Sequence, residues 1–327
     1  MRSVLLLLAS TLLLPAGTDD PRRLLIEHPL ENFGEVEYAR ATEAIFNTFE
    51  TRTGKRLAPA ERGRVALKIS TRSGPGLSTP KALVRAVAES LRRRGFAAGA
   101  IVICDAEAAH LRRAGFAPAN PLEALRFEDL PVRAWDLEAR EWAELPAWRY
   151  ENPMVPPPGA PVPAWHDARV SLLPRPLAEE FDFWLHLPVL SDSADLGVRG
   201  AIAGASLENA TNTERFAGNP RNAAMAAVEM AAWPAIDSKR ALTLLSLERY
   251  QIKGGPVFDA GWCRSEKLLL ASANPVILDV AGLTRLRAGR PEDNAGEPTV
   301  LQAAAAGGNT LGSARPSDVT LVRLGQR

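Results

Sequence analysis

The sequence predicts an α/β protein in which helices flank a largely parallel sheet in Rossmann-like layers. Short apolar runs alternate along the chain with longer segments of helical periodicity, which is the pattern of βαβ units. The clearest unit runs from "RVALKIS" (64–70) through one helix to "AIVICD" (100–105). Because a single crossover helix joins these two strands, we expect them to be parallel neighbours.

The first half of the chain predicts one helix ahead of the βαβ unit and a mixed stretch after it. The second helix of this half is expected to start at Pro80, with Ser78 or Thr79 as its N-cap, and to stop at Gly95. The expected elements are an irregular stretch (18–36), a helix (38–51), a strand (64–70), a helix (79–94), a strand (100–105) and a mixed, largely helical stretch (107–140).

The second half repeats the alternation after a proline-rich segment at 153–165, which is a linker or a long rim loop. Its last long helix begins with Asn274 as N-cap and Pro275 at the first position. The expected strands are 181–190, 241–247, 267–273 and 318–324, and the expected helices are 220–236, 274–289 and 297–308. We expect these strands to extend the sheet of the first half. The alternative, in which the chain forms two separate α/β halves, stays open.

The charge of the chain restricts its possible partners. The net charge is +1 and the basic residues are scattered, which argues against nucleic acid as a partner.

The first residues have the pattern of a Sec-type signal peptide. One arginine precedes an apolar run over 4–14, and a proline and small residues follow that run. The prediction is a signal peptide (1–17), an N-terminal extension with a helix (18–60) and an α/β domain (61–327).

Export through this signal places the mature protein in the periplasm or outside the cell. The apolar run is too short to span a bilayer comfortably, so no stable membrane span is expected once the signal is removed. An uncleaved N-terminal anchor is the alternative, and the oligomeric state stays open. The chain has two cysteines, Cys104 and Cys263, which are too few for an iron–sulfur cluster or a cysteine-ligated zinc site. Whether they pair, and which cofactor the protein uses, stays open.

Two blocks of the chain resemble the domain of unknown function 362 (DUF 362) family. The first is "RVALKISTRSGPGLSTPKALVRAVAESLRRRGF…IVICD", in which one strand ends in Lys and the next in Asp. The second is "FWLHLPVLSD…LGVRGAI…NTERFAGNP…KGGP…LLLASANPVILDVAG". The resemblance covers most of residues 64–325. It implies an α/β fold, frequent export in bacteria and, in some members, attached iron–sulfur modules.

Several polar positions of the family pattern hold other residues in this chain. Ser191 and Ser193 stand where the resemblance places a lysine and a histidine, and Ala203 stands where it places a second lysine. The acid before the last long helix is Asn274, which keeps the capping role and bears no charge. The resemblance therefore implies a site that keeps its frame and has lost part of its charge.

Ligands of open α/β sheets lie at the carboxyl ends of the strands, where the remaining polar residues cluster. There a lysine would hold a carboxylate or phosphate, and carboxylates would move protons or share a hard cation. The candidate catalytic residues are Lys68, Asp105, Asp192 and Asp279. The candidate ligand-binding residues are Thr71, Ser73, Ser78, Thr79, Ser191, Ser193, Gly254 and Gly255. No metal-ligating set is predicted.

Each of these assignments has a structural alternative. Lys68 in such a position is more often a partner for Asp105, in an ion pair between neighbouring strands, than a ligand clamp. Asp105 and Asp192 are also suited to accepting hydrogen bonds from loop N–H groups. The Gly254-Gly255-Pro256 sequence suits a plain turn, and His186, within an apolar strand, suits a core position.

Two functions follow from this. The first is an exported binding protein, weakly catalytic or non-catalytic. It would hold a small anionic ligand or a partner in the cleft at the carboxyl ends of the strands. The second is an enzyme acting on a small carboxylate or phosphate compound, with or without a metal ion, through its four candidate catalytic residues. Convergence of those four residues on an open pocket would favour the enzyme, and burial in internal contacts would favour the binding protein.

Overall fold

A computed structural model describes residues 19–138, 148–151, 170–290, 298–308 and 310–325. The predicted signal peptide (1–17) and the proline-rich segment (153–165) lie outside the described residues. Among the described residues, no helix has the length and apolar character needed to cross a membrane.

The strands of the described chain are β1 (Leu24–Pro29), β2 (Val65–Ile69), β3 (Ile101–Asp105), β4 (Arg126–Phe127), β5 (Leu130–Ala134), β6 (Trp148–Glu151), β7 (Val170–Leu173), β8 (Phe183–Leu187), β9 (Ser191–Ser193), β10 (Gly197–Arg199), β11 (Arg240–Ser246), β12 (Tyr250–Gln251), β13 (Cys263–Arg264), β14 (Leu268–Ser272) and β15 (Thr320–Arg323). The helices are α1 (Glu35–Thr53), α2 (Lys81–Arg93), α3 (Ala108–Ala114), α4 (Pro176–Glu179), α5 (Ala201–Ala205), α6 (Pro220–Ala231), α7 (Pro234–Asp237), α8 (Pro275–Ala288) and α9 (Thr299–Ala306). Short 3-10 turns lie at Ala98–Ala100, Glu214–Phe216, Ala260–Trp262 and Pro316–Asp318.

One mixed sheet of nine strands forms the centre of the described chain, in the order β15-β1-β14-β11-β8-β2-β3-β5-β4. The five strands from β11 to β5 are mutually parallel, and β14 runs antiparallel to both β11 and β1. The predicted α/β fold with a largely parallel sheet is confirmed. Strands from both halves of the sequence lie in this sheet, as the favoured alternative predicted.

Two stretches differ from the sequence prediction. Residues 24–29, expected to be irregular, form β1 inside the main sheet, between β14 and β15. The mixed stretch over 107–140 contains β5, which pairs in parallel with β3. Both strands are short and carry polar residues or proline, so their hydrophobic pattern is weak and their partners in the sheet define them.

Helix ends follow local chemistry in the second half. The Asn274 side chain accepts hydrogen bonds from the N–H groups of Val276 and Ile277, which confirms the predicted N-cap of α8. The single helix expected over 220–236 is instead two. It is interrupted before Pro234, whose missing N–H suits the first position of a new helix.

The sheet separates two hydrophobic cores. One face packs against α1, α2 and α3 through residues such as Leu67 and Val87. The other face packs against α5, α6, α8 and α9 through residues such as Trp184 and Ala226. This division of the helices between the two faces determines where the chain can form a crevice.

Candidate functional site

The carboxyl ends of β2 and β8 mark the point where the chain changes face. These two strands are parallel neighbours. The connection after β2 leads to α2 on one face, and the connection after β8 leads to α5 and α6 on the other. Open α/β sheets bind ligands in the crevice at such a point. The candidate site is therefore expected at this edge, beside the end of β3.

Lys68 in β2 and Asp105 in β3 form a buried ion pair at this edge. The Lys68 Nζ lies 2.7 Å from Oδ1 of Asp105 and donates a second hydrogen bond to the carbonyl of Ile69. The Oδ2 atom of Asp105 accepts hydrogen bonds from the backbone N–H and the hydroxyl of Thr71. This is the neighbouring-strand pair that the sequence offered as the structural alternative.

Thr79 connects the ends of β2 and β8. Its hydroxyl donates to the carbonyl of Leu187 at 2.6 Å and accepts from the N–H of Ser70 at 2.9 Å. The predicted capping role of Ser78 or Thr79 is wrong, because α2 begins one residue after Pro80 and has no side-chain cap. The Thr79 side chain is occupied in joining the two strands.

A cavity of about 240 Å³ opens beside the ends of β3 and β5, and we call it the edge cavity. Residues from the connections after β2, β3, β5 and α5 line it. The lining residues are Arg72, Asp105, Ala106, Glu107, His110, Trp135, Asp136, Leu207, Glu208, Ala210, Thr211, Asn212, Thr213 and Glu214. Of the candidate catalytic residues, Asp105 belongs to this lining.

Carboxylates outnumber cations around the edge cavity. Arg72 is engaged with Glu214 at 2.5 Å, and His110 lies 3.5 Å from Glu107. Asp136 is exposed, and one of its oxygens accepts a hydrogen bond from the N–H of Ala108. The lining therefore presents mainly hydrogen-bond acceptors and negative charge.

Glu208 stands between the edge cavity and a narrow cleft next to it. Burial works against its ionisation, but the nearby charges of Arg199 and Lys68 outweigh that effect and lower the pKa of this carboxyl. Its two oxygens contact Arg199 and the hydroxyl of Ser70. The carboxylate is therefore fixed from two sides.

The narrow cleft measures about 10 Å³, which is close to the volume of one water molecule. It brings the predicted residues Ser73 and Ser191 together, and the Ser73 hydroxyl donates to the carbonyl of Pro256. Ser78 is half-buried and lies outside the linings of both the cleft and the edge cavity. The contact between Ser73 and Pro256 joins two loops at this cleft, which leaves little room for an organic ligand.

Asp192 binds the glycine turn of the same chain. Its Oδ1 accepts a hydrogen bond from the N–H of Gly255 at 2.7 Å, and its Oδ2 accepts from Gly254 at 3.1 Å. Ser191 donates to the carbonyl of Asp192, and the Ser193 hydroxyl accepts from a backbone N–H within its own turn. These contacts hold strand β9 against the loop that follows β12.

Asp279 faces the first turn of α5. Its two oxygens accept hydrogen bonds from the N–H groups of Ala201, at 2.5 Å, and Ile202, at 3.0 Å. Complete burial raises the pKa of this carboxyl to about 7, although both N–H groups favour its charged form. Asp279 thus anchors a helix start and lies outside the lining of the edge cavity.

A row of polar side chains crosses the sheet on the face covered by α5. We call it the polar row; neighbouring strands place its members side by side. Its members are Cys104, Lys68, His186, Thr243 and Ser272, each 1% exposed or less. The expected core position of His186 is confirmed. Cys104 is a buried free thiol, and burial raises its pKa to about 12.

His186 is the unusual member of the polar row. Among the described residues, neither of its ring nitrogens has a hydrogen-bond partner, and the same holds for the Thr243 hydroxyl beside it. Burial, followed by the charges of Lys68 and Arg240, holds the pKa of His186 well below 6.5. The ring packs against Gly204, where an added Cβ would lie 2.5 Å from Nε2. His186 is therefore a neutral packing residue.

The described residues contain no group of three or more His, Cys, Asp or Glu side chains placed to hold a metal ion. Cys104 and Cys263 are both free thiols. No protein-family model, curated protein or solved structure matches this chain.

Sequence reasoning missed four residues that shape this region, namely Arg72, Trp135, Glu208 and Arg290. Glu208 and Arg290 each sit just after a helix and take part in no motif, so no local signal marks them. Arg72 follows β2 directly, and its position after a parallel strand was a usable signal. The Trp135 indole donates to Asn209, a contact that only the folded chain defines.

Proposed function

We propose that this chain is a non-catalytic binding protein for a small polar molecule, with its site in the edge cavity. One observation carries the proposal. Lys68 and Asp105, the pair best placed for chemistry, satisfy each other and nearby backbone groups, while an open cavity adjoins them. Each member of a buried, hydrogen-bonded pair is needed by the other, because removing one leaves an unpaired buried charge, whereas a cavity with polar walls admits a ligand.

The charge of the lining supports one ligand class. Five carboxylates line the edge cavity: Asp105, Glu107, Asp136, Glu208 and Glu214. Lys68 is fully buried and is not part of the lining, and Arg72 is paired with an acid. A ligand bearing an ammonium or guanidinium group, or several hydroxyl donors, complements these walls. The small anion predicted from sequence is less well matched to them.

The enzyme alternative receives less support from the geometry. It requires Lys68, Asp105, Asp192 and Asp279 to face one open pocket. Each of these groups instead holds an internal partner, and of the four only Asp105 lines the edge cavity. Binding without strong catalysis therefore agrees better with the contacts of these residues.

The proposed ligand class is tested by calorimetry with four probes: an alkyl diamine, an arginine ester, a disaccharide and inorganic phosphate. We expect the two cations to bind more tightly than phosphate. Asp136→Asn and Glu107→Gln are each expected to weaken diamine binding about two- to fivefold, as partly exposed charge contacts do. Glu266→Gln, which lines a separate groove, is the matched control.

Two outcomes would contradict the proposal. Tighter binding of phosphate than of the diamine would reverse the inferred ligand charge. Conversion of any probe to a new product, followed by mass spectrometry, would show that the site is catalytic. Membership of the DUF 362 family and export through residues 1–17 stay predictions, and N-terminal sequencing of the secreted protein tests the second.

A further inference from the structure

The turn at Gly254 and Gly255 surrounds a carboxylate that belongs to the chain itself. Two successive backbone N–H groups converge on the two oxygens of Asp192, at 3.1 and 2.7 Å. Gly254 adopts a φ of 78°, a left-handed conformation that glycine reaches without strain. Successive N–H groups in such a turn form a concave site for anions.

Arg290 adds a positive charge to the same place. Its Nη1 lies 3.5 Å from Oδ2 of Asp192, and its side chain is only 11% exposed. The Nε–H of this guanidinium is buried and makes no hydrogen bond among the described residues. A guanidinium carries five N–H donors, so Arg290 has capacity that Asp192 does not use.

The backbone at Gly255 leaves no space for a side chain. A Cβ there would lie 2.7 Å from the Ser191 hydroxyl and 2.9 Å from Oδ1 of Asp192. The turn therefore approaches the carboxylate as closely as a backbone can. The Asp192 side chain is 14% exposed, so the anion it supplies lies near the surface of the molecule.

We propose that the amides of Gly254 and Gly255 and the guanidinium of Arg290 form a binding site for a small oxyanion, a carboxylate or a phosphate, which Asp192 occupies from within the chain. The tethered carboxylate is present at a high effective concentration, so it excludes free anions from the native site. Asp192 thereby joins strand β9 to the turn at Gly254 and Gly255. Its carboxylate takes the place that a bound anion would take in this turn. This site is separate from the edge cavity and does not depend on the function proposed for it.

The test removes the internal anion and offers a free one. Full-length Asp192→Ala is melted in rising concentrations of formate or inorganic phosphate, and chloride at equal ionic strength gives the baseline. We expect formate or phosphate to raise the melting temperature of the variant by roughly 2 °C or more, because a ligand that binds only the folded state stabilises it. The wild-type protein is expected to show no shift beyond that in chloride.

Asp195→Ala is the matched control, because Asp195 lies in the turn that joins β9 to β10 and its side chain accepts a single amide hydrogen bond, from Gly218 at 3.3 Å. We expect no anion response from it, and we expect Asp192→Ala/Arg290→Gln to lose the response. If Asp192→Ala is recovered unfolded, its refolding yield with and without the anions becomes the readout. An equal response of both single variants, or no response of Asp192→Ala to either anion, overturns the proposal.

Discussion

The two halves of the polar row are equally buried but differ in how their side chains are hydrogen-bonded. On one side, the Lys68 side chain pairs with Asp105 and donates hydrogen bonds to two acceptors. On the other side, the side chains of His186 and Thr243 have no hydrogen-bond partners within the described part of the chain, and burial lowers the pKa of the imidazole well below 6.5. Adjacent strands under the same helical layer thus hold one satisfied ionic contact and one unsatisfied neutral group. Of these two basic side chains, the one in an ionic contact is the one that a carboxylate accompanies.

The ionic half should be the most sensitive to mutation. Lys68→Met leaves the Asp105 carboxylate buried without its cation, and we expect the free energy of unfolding to fall by about 3–5 kcal/mol. Urea denaturation measures this loss. The double variant Lys68→Met/Asp105→Asn should recover part of it, because no unpaired charge is then buried.

Arg93→Met serves as the exposed counterpart, since Arg93 pairs with Glu43 at 3.0 Å with both side chains partly in solvent. Its effect should stay below about 1 kcal/mol. Equal losses in Lys68→Met and Arg93→Met would show that burial adds nothing to the importance of the Lys68 pair.

The stability of the neutral half should be sensitive to added side-chain volume next to His186. Gly204→Ala places a Cβ 2.5 Å from Nε2 of His186, and we expect a loss of about 1–3 kcal/mol from overpacking. Gly99→Ala is the control, because an added Cβ meets nothing within 4 Å there. Combining Gly204→Ala with His186→Ala should relieve the clash. An undiminished loss in the double variant would place the steric conflict elsewhere.

Among the variants of the polar row and Gly204, the smallest expected effect at neutral pH is that of His186→Leu, which should change stability by less than about 1.5 kcal/mol at pH 7. The variant should differ from wild type more strongly in acid. The unfolded wild-type chain gains a proton on His186 below pH 6.5, whereas the folded chain does not, because the pKa of the buried ring is lowered. Wild-type stability is therefore lost as the pH falls, by up to about 1.4 kcal/mol per pH unit, and His186→Leu lacks this loss.

The comparison between variant and wild type is needed because Asp279 titrates in the opposite sense. Its folded pKa of about 7 lies above the unfolded value of 3.8, so its contribution is present in acid and is lost as the pH rises. This term is common to both proteins and cancels in the difference. Parallel stability curves for the two proteins from pH 7 to pH 5 would mean that His186 accepts a proton in the folded state.

The parts of the fold with local signals were predictable from the sequence. The β2-α2-β3 unit and the Asn274 cap follow from apolar runs, crossover length and capping chemistry within a few residues. Strand β1 was not predictable, because "LLIEHP" carries a weak pattern and gains its identity from β14 and β15. The start of α2 was misplaced because Thr79, a good capping residue, bonds to strand ends instead.

The site was predictable to a similar degree. The meeting of Lys68 and Asp105 follows from parallel pairing of β2 and β3, in which Lys68 lies opposite Cys104. Sequence could not reveal Glu208 or Arg290, because their roles depend on how distant loops pack together. It could not show the unsatisfied state of His186 either, since that state depends on which groups of the folded chain pack around the ring, Gly204 among them.

The position of β1 affects the order in which the chain can fold during synthesis. The Ser272 hydroxyl, which donates to the carbonyl of Leu24, lies 248 positions further along the chain. At about 5–20 residues per second, β1 leaves the ribosome roughly 12–50 s before this partner does. The first strand must therefore wait with its backbone N–H and carbonyl groups unpaired. A nascent chain in this condition offers chaperones an unpaired segment until the last fifth of the protein emerges.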